Sequence, residues 1–285
     1  MTADSRAPTG LARRGRRLPD AETERRMLGA AVRMVHSTGL TVSLEHISFE
    51  DVIRDADVSR SSAYRRWPHK DLFFSDLVKQ LARDATPATI IHDEFDKLRR
   101  VAATHLDWLE TPGLRRGLLV ELIRELSVLD FQALYGSAQW RTYIALHATF
   151  MSLPEGELRD QVQSALAQSE HDRIARVAKA WEHLAGLFGY RLRPEAAGTF
   201  ETPVILADAT MRGLIIMALS TPELAARRIA ASPFGAASTN EWSMPALGLA
   251  SIASAFLEPD PTVEWDAQRV ISVRRALTTL SVLDG

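Results

Sequence analysis

Apolar positions recur along this chain at intervals of three and four residues, the period of helices with one buried face. After Pro19-Asp20, acidic residues occupy a first turn, where the helix dipole favours them, and Leu28, Ala31, Val32 and Val35 then share a face that Gly39 closes. Ser48 opens a second helix, with Asp51 three residues on to complete its cap, and turns Phe49, Val52, Ile53 and Ala56 inward. Ser59 caps a third, in which Ala63 and Trp67 face the interior. Pro68 ends it, because the residue before a proline is pushed out of the helical region. Phe73, Leu77 and Leu81 mark a fourth helix.

Composition shifts at Ala85-Thr-Pro-Ala-Thr, the expected junction between domains. Beyond it the same periodicity predicts helices over 94–110, 113–130, 133–151, 155–189, 203–220, 241–258 and 263–282. Thr202-Pro203 and Thr221-Pro222 read as helix starts, and 232–240 as a loop of small residues. No run of alternating β-branched residues competes, and no internal repeat is visible. The expected fold class is all-α: a disordered basic arm over 1–18, a first helical domain over 19–84, and a larger helical domain over 94–285.

Charge changes this picture by location more than by amount. The net charge of −2 over 285 residues argues against a generally basic coat for nucleic acid. Residues 1–84, however, hold 15 Lys and Arg against 12 Asp and Glu, and the remainder 19 against 24, so a polyanion would meet the N-terminal part. The chain has no cysteine, which excludes disulfides and thiolate metal sites. Arg13-Arg14 and Arg16-Arg17 are followed by Pro19, Asp20, Glu22 and Glu24, where an export signal needs an apolar stretch. The longest uncharged run, Trp242 to Leu257, is shorter than the ~20 apolar residues of a membrane span. A soluble, cytoplasmic protein with no membrane partner is expected.

Two short helices joined by Ala56-Asp57-Val58 have the form of a helix-turn-helix, whose second helix can enter a DNA major groove. Arg60 and Arg65 can reach guanine edges or phosphates, and Tyr64 can donate to a phosphate while its ring packs. Ser61 and Ser62 are small enough to let the backbone approach, and Lys70 opens the fourth helix within reach of a phosphate. The competing reading is a three-helix bundle whose polar face is merely solvated. The arginines Arg13, Arg14, Arg16 and Arg17 are either a solubilising tail or a minor-groove arm.

The stretch Val58-Ser59-Arg60-Ser61-Ser62-Ala63-Tyr64-Arg65-Arg66-Trp67-Pro68-His69-Lys70-Asp71-Leu72 resembles the signature of TetR-family transcriptional regulators, and the resemblance covers about residues 20–83. It implies phosphate contacts from Tyr64 and Lys70, groove-facing Arg60, Ser61, Ser62 and Arg65, and a Ser48 that approaches a phosphate. Asp57 stands where the family usually has glycine. Arg66 replaces one of two aromatics and suggests an added phosphate contact. The loop from Gly39 to Ile47 is longer than usual. The resemblance also implies a homodimer on a palindromic DNA operator, most often a repressor, released by a small effector bound in the C-terminal domain.

In that C-terminal part, Trp140, Tyr143, His147 and Phe150 form one helical stripe. With His105, Trp108, Trp181 and Met211 they are candidates to line a pocket for an apolar or aromatic effector, against the plainer reading of core burial. Segments 203–220 and 244–257 suit a dimer interface of packed helices. The extra length relative to TetR relatives falls in 221–285. Nucleotide-binding glycine loops, the Gly-x-Ser-x-Gly elbow, His-Glu-x-x-His and Glu-x-x-His pairs are all missing, so no enzyme, cofactor or metal is expected. Glu121 and Glu125 beside Arg124 read as a solvated face, and His92, Asp93, Glu94 and Asp96 as an acidic helix start. The second functional reading is a helical protein–protein adaptor whose helix-turn-helix does not engage DNA.

Overall fold

A computed structural model describes residues 19–38, 47–84, 99–196 and 198–279. The basic arm with Arg13, Arg14, Arg16 and Arg17, the segment after Gly39, the junction at 85–89 and the acidic group at 92–96 lie outside the described residues. Most of what is described is helix, in keeping with the expected fold class.

The first four helices start and stop where local chemistry dictates. Helix α1 (Asp20–Thr38) begins after Pro19 with Asp20 and Glu22 in its first turn. Helix α2 (Phe49–Asp55) is capped by Ser48, whose hydroxyl accepts from the Asp51 N–H. Ser59 caps α3 (Arg60–Arg66) by accepting from the Ser62 N–H, and the chain leaves the helix at Trp67, before Pro68. Between them Asp57 adopts φ 50°, the left-handed turn conformation that Asp tolerates better than most residues. Helix α4 (Lys70–Arg83) follows. Met27, Ala30, Ala31, Val35, Val52, Ala63, Trp67, Phe73 and Leu77 are completely buried between these helices. Phe49, Trp67 and Phe74 each pack a ring against Phe73 at 5.0 to 5.5 Å.

This core does not close on itself. After α5 (99–104) and a 3-10 turn (Leu106–Leu109) come three long helices, α6 (Pro112–Gly136), α7 (Ala138–Ser152) and α8 (Glu157–Leu187). Tyr143 and Leu146 of α7 and Val162 and Leu166 of α8 join the N-terminal cluster, so α1 and α4 rest directly on the later helices. The expected break near 130 falls instead at Ser137, which ends α6 and caps α7 by accepting from the Trp140 N–H.

The remaining chain adds α9 (Glu201–Ser220), a single turn α10 (Glu223–Ala226), α11 (Met244–Phe256) and α12 (Ala267–Thr279). Four short strands depart from the sequence expectation: β1 (Tyr190–Leu192) pairs antiparallel with β4 (Leu257–Pro259), and β2 (Arg228–Ala231) with β3 (Asn240–Ser243). The predicted loop at 232–240 is thus the tip of a hairpin. Gly189, at φ 69°, makes the tight exit from α8 into β1, where a side chain would strike the Trp265 ring. Helices α9 and α11 approach closely, since a Cβ on Gly248 would sit 2.7 Å from the Thr210 methyl.

Among the described residues α9 alone is long and apolar enough to cross a membrane by length and composition, with mean hydropathy 1.5. Its interior charges tie it to a neighbouring helix instead. Asp208 and Arg212 of α9 pair with Glu170 and Arg173 of α8, while Val204, Met211 and Ile215 are buried.

Candidate nucleic-acid interface

Helix α3 is placed by its buried side, Ala63 with the adjacent Trp67, and by the cap at Ser59. What remains outside is a short polar face: Arg60, Ser61, Tyr64 and Arg65 are exposed, and Lys70 lies exposed at the first position of α4. Ser48 is exposed at the start of α2, although its hydroxyl oxygen already serves the helix cap. Ser62 departs from the expectation of a groove-facing hydroxyl. It is 5 % exposed, and its side chain takes a hydrogen bond from the Ser59 hydroxyl at 2.9 Å. With the helical period, position 62 falls on the inner side of a helix only seven residues long.

Each arginine of α3 has a carboxylate beside it. Glu50 of α2 accepts from the Tyr64 phenol at 2.9 Å and pairs with Arg60 at 2.9 Å. That hydrogen bond holds the Tyr64 hydroxyl above its ordinary pKa. Arg65 pairs with Asp20. Arg66, expected to add a phosphate contact, instead bridges Glu24 of α1 at 3.0 Å and Asp76 of α4 at 3.3 Å, with its guanidinium 4.9 Å from the Trp67 ring centre. Its place in the fold is a brace between helices. Asp76 also accepts from the Trp67 indole N–H at 2.9 Å. Burial pushes the Asp76 carboxyl up, but hydrogen bonds from Lys79 and Trp67 and the nearby charges of Lys79 and Arg66 leave it below its usual value.

Glu50 was not singled out from the sequence, and only its place in the first turn of α2 distinguished it. Residues 19–84 hold ten Lys and Arg against eleven Asp and Glu. The positive balance of residues 1–84 therefore comes from the arm, and the four helices offer a pattern of charge instead of an excess.

The eight residues expected to line an effector pocket do not converge. Trp140 and Met211 belong to a cluster with Phe131 and Ile215. Tyr143 belongs to the N-terminal core, with Phe150 packed against its edge. Trp108 packs with Leu109 and Leu118, its ring 4.1 Å from His105, and Trp181 is half-buried outside these clusters. The stripe on α7 is core: successive turns of one helix meet different neighbours. His147 Nδ1 lies 3.0 Å from the Tyr143 carbonyl, and burial, then the Arg212 charge, lowers its pKa.

Beside it lies an ion-pair group the sequence did not reveal. Arg173, 7 % exposed, pairs with Asp208 and Glu170, and Arg212 bonds both of the same carboxylates. Burial raises the Asp208 pKa against the pull of Arg212 and Arg173. Arg124, read from sequence as part of a solvated face, is held between Glu121 and Glu125 and donates to the Glu241 carbonyl, fastening α6 to β3.

No protein-family model matches this chain, and neither the curated proteins nor the solved structures yielded a match.

Proposed function

We propose that this protein is a DNA-binding transcriptional regulator of TetR-like organisation, acting as a homodimer on a palindromic operator. The observation that carries the reading is α2–turn–α3: two seven-residue helices with serine caps, a left-handed Asp57 between them, and Arg60, Ser61, Tyr64 and Arg65 on the outer face of the second. That face has the length and chemistry for a major groove, with Lys70 placed for the backbone beside it. Residues 19–84 would be the helix-turn-helix domain, and Arg13, Arg14, Arg16 and Arg17 would supply the positive charge the helices lack.

Dimerisation is supported by α9. Its outer face carries Ile205, Leu206, Ile216 and Met217, each more than two-fifths exposed, with Ala209 and Gly213 between them. An apolar face of this kind, with small residues at its centre, can pack against its own copy around a two-fold axis, with α11 alongside. A small effector would act by favouring a dimer whose two α3 helices no longer fit successive grooves.

A helical protein–protein adaptor is the second reading. It is favoured by the carboxylates beside Arg60, Arg65 and Arg66, which diminish the field a polyanion would meet. Selection from a random duplex library at low salt separates the two. Enrichment of a two-fold-symmetric sequence supports the regulator; no enrichment by the folded protein favours the adaptor.

A further inference from the structure

A half-enclosed cavity of about 170 Å³ lies between the C-terminal end of α6 and the β2–β3 hairpin. It is smaller than the ~300–1,000 Å³ of sites for drug-sized ligands, which limits any occupant to a fragment of about one ring. One side is apolar: Phe131 and Tyr135, one helical turn apart, stack their rings at 10° with centres 5.7 Å apart. Two polar residues also border this largely apolar space. Arg228 and Ser243 both line the cavity and are directly opposite residues of the antiparallel pair β2–β3. Cross-strand partners project to the same side of a sheet, with Cβ atoms about 4.5–5.5 Å apart.

The donors on these two residues are uncommitted in a particular way. Arg228 is anchored through Nη1 alone, which donates to the Ala225 carbonyl at 3.0 Å and the Arg227 carbonyl at 2.9 Å. The Nε–Nη2 edge of this exposed guanidinium has no hydrogen bond among the described residues and is available to a ligand. The Ser243 hydroxyl, 4 % exposed, accepts from the Ala246 N–H and keeps its own proton to donate. Gln132 adds an exposed amide at the rim. A fixed cation and a buried hydroxyl side by side match two carboxylate oxygens, and an arginine fork binds them in two places at once. We propose that this cavity is a binding site for a small aromatic monocarboxylate, its ring along Phe131 and Tyr135 and its carboxylate on Arg228 and Ser243. The site belongs to α6, α10 and the hairpin, and does not depend on the DNA reading.

Titration calorimetry of the full chain with benzoate, without DNA, tests it. Saturable one-to-one binding is expected, with benzamide, the neutral analogue, at least about tenfold weaker. Arg228→Gln should weaken benzoate about tenfold while leaving the melting temperature unchanged, and Arg227→Gln should leave binding as in the wild type. The absence of saturable benzoate binding at millimolar ligand would overturn the proposal. Equal affinity for benzoate and benzamide, or equal effects of the two arginine variants, would do so as well.

Discussion

Two of the faces that the described helices leave exposed have opposite chemistry. The outer side of α3 is polar, seven residues long, and each of its arginines is paired with a carboxylate. The outer side of α9 runs for twenty residues and exposes Ile205, Leu206, Ile216, Met217 and Leu219. The first suits a charged partner, which would have to compete with the carboxylates already in place; the second suits an apolar one. Both helices are held from behind by tightly packed side chains, so each presents its leftover face on a rigid support.

That support is where the largest effect is expected. Trp67 is completely buried, packs on Phe73 and donates to Asp76. Trp67→Ala should destabilise by about 3–5 kcal/mol in urea unfolding, whereas the surface change Ser61→Ala should stay within about 0.5 kcal/mol. Equal costs would mean that α3 is not anchored as described. On the apolar face, Ile216→Asp together with Met217→Asp should convert a dimer to a folded monomer in light scattering, because two charges cannot be buried unpaired. A wild type that is monomeric at micromolar concentration would remove α9 from the account.

The polar face gives a smaller and opposite response. Glu50→Gln breaks the pairing with Arg60, leaves Tyr64 only a neutral acceptor, and removes a negative charge next to the proposed phosphates. Affinity for any duplex should rise about three- to tenfold, and the Tyr64 phenol should titrate at lower pH. Unchanged affinity would show that Glu50 does not face the nucleic acid. The smallest effect is on acid stability. Asp76 has a folded pKa below its unfolded one, so its contribution is present above the ordinary aspartate range and is lost as pH falls through the depressed value. Asp76→Asn should flatten that acid limb in thermal melts between pH 5 and about pH 2.

The two faces also differ in how far they could be read from residue order. Around α3 the signals are local: Ser48, Ser59, Pro68 and the turn at Asp57 each act within four residues, and each lies in the structure where its chemistry places it. Glu50 stayed hidden because its partner Tyr64 is fourteen positions away, across the turn. Helix α9 is apolar on nearly every side, so its period shows a helix without showing which side stays exposed. The aromatic residues of α7 were legible as a stripe, but a stripe does not reveal which neighbour receives each turn. The strands were invisible for another reason. Three or four residues are too few to show a two-residue period, and β1 pairs with β4 some sixty-seven positions later.

The most direct test of the α3 face is fluorescence anisotropy of a library-selected duplex across a salt series, with wild type, Arg60→Ala and Tyr64→Phe. The expected result is steeply salt-dependent binding by the wild type, a loss of about 1–3 kcal/mol for Arg60→Ala with relaxed sequence preference, and a smaller, sequence-independent loss for Tyr64→Phe. Wild-type affinity in both folded variants would contradict the assignment of α3 as the helix that reads DNA.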